Sequence, residues 1–183
     1  MTQNQKTSLR DNCLAVRKSI NKRSQKLASS IICKKINFLQ NYINAESIGL
    51  YKPINNEIDL SSLFNNSKKF YYPKVFGKEM NFIKIDALTK FVKNKCGIEE
   101  PIGNLNDGVD VTKLDLIFVP LVAFDHNKNR IGMGLGYYDR YLARNKNTFL
   151  IGVAYEFQRQ EDIQPDPWDI KLDLILTENR NYI

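Results

Sequence analysis

The sequence predicts an α/β fold in three layers: a mixed, mainly parallel sheet with helices on both faces, preceded by an N-terminal helical hairpin. Three observations carry this. Residues 114–124 (LDLIFVPLVAF) are almost continuously apolar, as a central strand buried on both faces must be. Shorter apolar runs alternate with helix-periodic stretches, the pattern of strands whose connections cover a sheet. The length, 183 residues, fits one domain at a prior of roughly 150 residues each and allows a core without disulfide or metal staples. Residues 1–183 are therefore read as a single domain.

The elements follow in order. Leu9, Cys13, Val16 and Ile20 form one apolar stripe at helical spacing. After a break at Asn21 and Ser24, a second stripe uses Leu27, Ile31, Ile32, the stem of Lys35, Phe38, Leu39 and Tyr42. Residues 47–51 read as a short strand stopped by Pro53, and 58–64 as a short helix. Residues 70–72 read as a strand ended by Pro73, and 80–85 alternate as a half-buried strand does. Residues 86–92 are read as a short helix, and 96–112, rich in Gly, Asn and Asp, as a long loop of the kind that is often functional. The central strand at 114–124 leads into a glycine-rich loop and a helix over 137–144, and strands at 149–154 and 172–176 complete the sheet.

Composition narrows the function classes. The formal charge is +7, from 27 basic and 20 acidic residues. The basic residues are spread along the chain, which suits an anionic ligand as well as a merely basic surface. Cys13, Cys33 and Cys96 are odd in number, far apart and without a C-x-x-C pair, and His126 is the one histidine. That argues against a disulfide framework or a Cys/His zinc site and predicts reduced thiols in a cytoplasmic protein. His126 itself reads as a solvated loop residue and Trp168 as a packing residue. The polar N-terminus lacks the apolar stretch of a secretory signal, and no run approaches a membrane span.

The sharpest local feature is residues 130–140, RIGMGLGYYDR. Gly132, Gly134 and Gly136 alternate between a buried strand and a helix. Glycine tolerates positive φ and lets a ligand approach the backbone, so successive amides can face one anion. The helix that follows turns its N-terminus to the same place, and Arg130 and Arg140 flank the loop as potential phosphate donors. No G-K-[ST] ends the loop and no G-x-G-x-x-G is present, so neither a Walker A nor a dinucleotide fingerprint applies. A tight turn without a ligand is the alternative.

Taken together with 115–125 (DLIFVPLVAFD), the loop resembles the signature of the 5-formyltetrahydrofolate cyclo-ligases. The resemblance extends over nearly the whole chain. It includes Lys6-Thr7-Ser8-Leu9-Arg10, Asn56-Glu57-Ile58-Asp59, Tyr72-Pro73-Lys74-Val75, Glu99-Glu100-Pro101, 152–158 (GVAYEFQ) and 168–173 (WDIKLD). It implies an ATP- and Mg²⁺-dependent enzyme that cyclises 5-formyltetrahydrofolate, with or without a polyglutamate tail, to 5,10-methenyltetrahydrofolate. It implies no nucleic-acid or membrane partner, and a monomer is expected. By this resemblance ATP is bound by Lys6, Arg10, Lys74 and the run Arg130, Ile131, Gly132, Met133, Gly134, Leu135, Gly136, Tyr137 and Tyr138, with Arg130 and Tyr138 at the chemistry. Lys52, Glu57 and the stretch from Met133 to Tyr137 face folate, Glu57 as acceptor for pterin N–H groups. Asp139 and Asp173 hold Mg²⁺, although Asp173 could equally be a solvated strand end.

Two other classes stand beside this reading. A sugar-phosphate isomerase or CoA-transferase-like enzyme would use a positioned base or a glutamate nucleophile and no nucleotide. A basic RNA-binding module would cluster its cations and aromatics on one face, and no RNP, KH or helix-turn-helix pattern occurs.

Overall fold

The structure is a computed structural model that describes every residue except 66 and 96, so Cys96 lies outside the described residues. Helix α1 (Gln3–Ser19) opens on a capping box in which Thr2 and Gln5 satisfy each other's backbone amides. Helix α2 (Lys22–Asn37) starts at Asn21, whose side chain accepts from the Ser24 N–H. A short helix α3 (Gln40–Asn44) leads into β1 (Ser47–Gly49). Then come β2 (Lys69–Phe76), β3 (Glu79–Ile85), β4 (Phe91–Lys93), β5 (Glu99–Pro101), β6 (Gly108–Val109), β7 (Leu116–Pro120), β8 (Ala123–Phe124) and β9 (Arg130–Ile131). Helix α4 (Tyr137–Leu142), β10 (Phe149–Val153), β11 (Leu174–Leu176) and β12 (Asn181–Tyr182) complete the chain.

The main sheet has eight strands in the order β12-β11-β10-β7-β1-β2-β3-β6. The five strands from β11 to β2 run parallel, and β12, β3 and β6 pair antiparallel at the margins. The mixed, mainly parallel sheet expected from the sequence is therefore present. Small two-stranded sheets pair β4 with β5 and β8 with β9. Along β7, Leu116 and Phe118 enter one core while Ile117 and Val119 enter the other, so the strand is apolar at every position because both of its faces are covered. The first core lies beneath α2 and α3, and α4 covers the second with Tyr137, Tyr138, Tyr141 and Leu142.

Helix α1 joins neither face. Cys13, Leu9 and Leu14 pack with Val122, Ala123, Ile131 and Ile163, in a third core just beyond the end of β7. This places α1 across the C-terminal ends of the parallel strands. At that level β1 connects onward to β2 on one side of the sheet and β7 to β10 on the other, and ligands enter open α/β sheets at such a switch point.

Several local expectations are corrected. Strand β2 runs through Pro73 to Phe76, because β1 ends opposite Tyr71 and the amide that proline lacks has no strand to donate to on that side. Residues 86–92 give a turn and the start of β4 rather than a helix, and the loop over 96–112 contains β5, β6 and a 3-10 turn. Only Ser61–Leu63 of the helix over 58–64 is helical, as one 3-10 turn. In α2 the buried face is Gln25, Ala28, Ser29, Ile32, Cys33 and Ile36, whereas Leu27 is 63% and Phe38 86% exposed. Small Ala28 and Ser29 let this face, rather than the one carrying the larger Leu27, lie against the sheet.

Candidate functional site

One cleft of about 280 Å³ opens where the parallel strands end. It is lined by α1 (Lys6, Arg10), the segment after β1 (Tyr51, Lys52, Ile54, Glu57), β2 (Pro73, Val75), the segment after β7, and all residues from Arg130 to Asp139. Asp166, Trp168 and Asp169 close the remaining side.

Three cations, Lys6, Arg10 and Arg130, stand among three carboxylates, Asp139, Asp166 and Asp169, on the side formed by α1 and the glycine loop. Lys6 is buried and meets Asp166 at 2.8 Å and Asp169 at 3.1 Å. Burial alone would lower the Lys6 pKa, but the two carboxylates outweigh it and hold the ammonium above its ordinary 10.5. Arg10 donates through Nε to the Gly132 carbonyl at 2.8 Å, a neutral acceptor that leaves its charge available. Arg130 is buried, donates to the Ile170 carbonyl, and meets Asp139 Oδ1 at 2.7 Å. The same oxygen accepts from the Ile170 N–H at 3.3 Å.

The loop requires its glycines. Gly134 and Gly136 sit at φ +87° and +65°, where L-residues with a Cβ are strained. A Cβ on Gly134 would stand 3.3 Å from Arg10 Cζ. Met133 and Leu135 are turned out, 43% and 57% exposed. The loop and α4 are tied to the β2–β3 turn: Tyr137 Oη donates to the Gly77 carbonyl at 3.0 Å, and Arg140 donates to the Lys78 carbonyl. Arg140 thus serves that turn rather than the cleft.

Beneath the cations the cleft ends in a buried carboxylate. Glu57 is 6% exposed and pairs with Arg17, 1% exposed, at 3.1 Å. Glu57 Oε2 also accepts from the Ile54 N–H at 3.0 Å. Arg17 spends its other donors on the Asn55 carbonyl at 3.1 Å and the Leu121 carbonyl at 3.0 Å. Asn55 and Asn56 both adopt positive φ, +47° and +57°. That conformation is held because Asn56 Nδ2 donates to the carbonyls of Arg17, Lys18 and Ile20, closing the end of α1, while Tyr155 Oη donates to the Asn56 carbonyl. Burial pushes the Glu57 carboxyl above its ordinary value, and Arg17 pulls it part of the way back. Tyr138 lines the same floor. Its hydroxyl is shut away from solvent and has no hydrogen-bond partner among the described residues. Burial, then the charge of Glu57, push this phenol far up, so it stays a neutral donor.

On the far wall Lys52 lies over the Phe91 ring at 4.4 Å and meets Glu99 at 3.7 Å. Glu100 is buried and accepts from the Val75 N–H and from Asn94 Nδ2.

The structure brings Lys6, Arg10, Lys52, Glu57, the run from Arg130 to Tyr138, and Asp139 to this one cleft. It does not bring Lys74 or Asp173 there. Strand alternation turns Pro73 and Val75 to the cleft and Lys74 to the opposite face, where its ammonium binds the Pro101 carbonyl at 3.0 Å. Asp173 sits at the start of β11 and accepts from the Leu150 N–H at 2.7 Å, at the opposite end of the strands. Trp168, expected to pack, is 68% exposed at the mouth. Arg17, Asp166 and Asp169 were not anticipated. Arg17 was legible in part, since positions 6, 10, 13 and 17 share one helical face.

Comparisons with known proteins place this fold in a family. The model of the 5-formyltetrahydrofolate cyclo-ligase family matches residues 2–178. A Haemophilus influenzae 5-formyltetrahydrofolate cyclo-ligase is 37% identical over 72% of this chain and 75% of its own. A Mycoplasma genitalium enzyme of the same name is 33% identical over 93% of this chain and 96% of its own. The solved structure of an Aquifex aeolicus 5,10-methenyltetrahydrofolate synthetase superposes with a TM-score of 0.85 at 34% identity, covering 96% of this chain and 91% of that one. A Mycoplasma pneumoniae 5,10-methenyltetrahydrofolate synthetase gives a TM-score of 0.76 at 30% identity, covering 94% and 98%. The chain belongs to the 5-formyltetrahydrofolate cyclo-ligase family of enzymes.

Proposed function

We propose that this protein uses ATP and Mg²⁺ to cyclise 5-formyltetrahydrofolate to 5,10-methenyltetrahydrofolate, releasing ADP and phosphate. The observation that carries the reading is the convergence, in one cleft, of a cation-flanked glycine loop and a buried carboxylate floor. The first suits the phosphates of a nucleotide. The second suits a ligand rich in N–H donors, as a reduced pterin is.

The chemistry explains why both are needed. A formamide carbonyl is a poor electrophile and its oxygen a poor leaving group. Transfer of the γ-phosphoryl group to that oxygen gives an imidate-like phosphate. The N10 amine then attacks the formyl carbon, and phosphate departs with the original formyl oxygen. The protein's tasks are positioning and charge neutralisation.

In this reading Lys6, Arg10 and the loop from Arg130 to Tyr138 hold the phosphates. Glu57 accepts hydrogen bonds from the pterin, and Lys52 lines its wall. Arg130 offsets charge at the transferred phosphoryl group, and the neutral Tyr138 hydroxyl donates to the reacting oxygens. Among the described residues no three side chains converge to hold a metal by themselves. Mg²⁺ suits such a place, because it takes one or two carboxylates and completes its shell with phosphate oxygens and water. Asp139 is the carboxylate that fits, held in the cleft by Arg130 and Ile170. The ion would supply further neutralisation of the phosphates. Lys74 and Asp173 serve β-sheet contacts in this account. The protein works as a cytoplasmic monomer and binds no nucleic acid.

Purified protein with 5-formyltetrahydrofolate, ATP and Mg²⁺ is expected to develop the near-UV band of the methenyl product. Omitting any one component should abolish it. A folded preparation that forms no product with all three present would overturn the assignment.

A further inference from the structure

Trp168 is the one tryptophan of the chain. It lines the cleft yet leaves 68% of its surface in water. Exposed Met133 and Leu135 line the same cleft, so this rim is apolar while the wall behind it holds Lys6, Arg10 and Arg130, of which Arg10 bonds to a neutral carbonyl. A ligand that meets both has a flat or apolar part joined to an anionic part.

The segment that carries Trp168 is fixed on both sides, and its bonds point one way. Before the tryptophan, Asp166 holds the Lys6 ammonium and donates its own N–H to Asp169 Oδ2 at 2.8 Å. After it, Asp169 holds Lys6, while Ile170 donates to Asp139 and accepts from Arg130. Apart from the bond between Asp166 and Asp169, each of these contacts ties the segment to Lys6, Arg130 or Asp139. Glu57 and Arg17, at the floor, bond to other segments instead.

We propose that Trp168 stacks on the adenine ring of the bound nucleotide and so contributes to its recognition. This rests on the functional reading above. Two flat ring systems enter the cleft in that reading. The pterin is committed to the Glu57 floor. The base, linked to phosphates held by Lys6, Arg10 and the glycine loop, extends toward the open rim where Trp168 stands. Asp166 and Asp169 position the ring by holding its segment on Lys6.

Because the tryptophan is single, the protein's tryptophan fluorescence reports this one side chain. Titration of the full-length protein with ATP and Mg²⁺ should quench it saturably. Inorganic tripolyphosphate, at an occupancy checked by calorimetry, should leave it nearly unchanged. Trp168→Ala should raise the ATP KM at least about fivefold, the lower end of the effect of one base–aromatic stack. The variant's kcat should fall by less than its ATP KM rises, its folate KM should move least, and Trp168→Phe should restore most of the ATP affinity. Equal quenching by tripolyphosphate, an unchanged ATP KM in Trp168→Ala, or a shift in the folate KM instead would each overturn the proposal. If the parent protein neither binds ATP in calorimetry nor turns over with it, the functional reading itself fails, and that result is distinct from an ATP-dependent enzyme whose tryptophan is silent.

Discussion

At the scale of single residues, the floor of the cleft is Glu57, held from behind by Arg17. An ion pair this buried is stabilising only when every remaining donor and acceptor is used. Here Arg17 also binds two carbonyls, and Glu57 also takes a backbone amide. Desolvation still leaves Glu57 above its ordinary value of 4.5. The folded protein therefore holds the Glu57 proton more tightly than the unfolded chain does. The stabilisation from this group is complete below 4.5 and is lost as pH rises through the raised native value. Each tenfold tightening of proton binding amounts to about 1.4 kcal/mol. Urea unfolding from about pH 4 to 8 should show this decline in the parent and lose it in Glu57→Gln; an identical pH slope in both would contradict it. Glu57 was legible in the sequence through its family segment. Arg17 was legible only in part, through the helical face it shares with positions 6, 10 and 13; the apolar stripe drawn through Val16 pointed elsewhere, and Val16 is 49% exposed.

The elements show where local sequence pattern carries information and where it does not. Of the apolar run from 114 to 124, Leu116–Pro120 form the central strand, apolar throughout because both faces are covered, while Ala123–Phe124 pair with β9 in a separate sheet. The caps at Thr2 and Asn21 set the helix starts as side-chain chemistry predicts. The short margins were illegible: β6, β8, β9 and β12 have two residues each, too few to show a period. The glycine loop was legible as an element because alternating glycines between strand and helix have few other uses. Its tie to Arg10 was not, since it joins residues 122 positions apart. That tie predicts the behaviour of Gly134→Ala. The φ of +87° makes alanine cost about 1–2 kcal/mol, and its Cβ would press on Arg10. The ATP KM should rise about tenfold while the folate KM holds, as measured in steady state. Gly152→Ala, in β10 and outside the cleft, would meet Leu172 Cδ1 at 2.6 Å. It should lose about 1–3 kcal/mol without that selective effect. An unchanged ATP KM in Gly134→Ala would remove the loop from nucleotide binding.

For the molecule as a whole, the parallel sheet sets the strand ends side by side and α1 crosses them. Lys6 and Arg10 thereby line one cleft, and Arg17 from the same helical face holds Glu57 at its floor. The net charge of +7 favours anionic substrates over the whole surface, whereas in the cleft Lys6, Lys52 and Arg130 are each paired with a carboxylate and Arg10 donates to a neutral carbonyl. Charge composition alone left an anionic ligand and a merely basic surface equally open. The long-range pairing of Lys6 in α1 with Asp166 and Asp169 is announced by no single-residue pattern. The central claim is that this cleft joins the γ-phosphoryl group of ATP to the formyl oxygen of the folate. It is tested most directly by turning over 5-formyltetrahydrofolate labelled with oxygen-18 in the formyl group and examining the released phosphate by mass spectrometry. The account predicts that each phosphate carries one labelled oxygen from the folate. Unlabelled phosphate, with the heavy oxygen recovered in water, would contradict it.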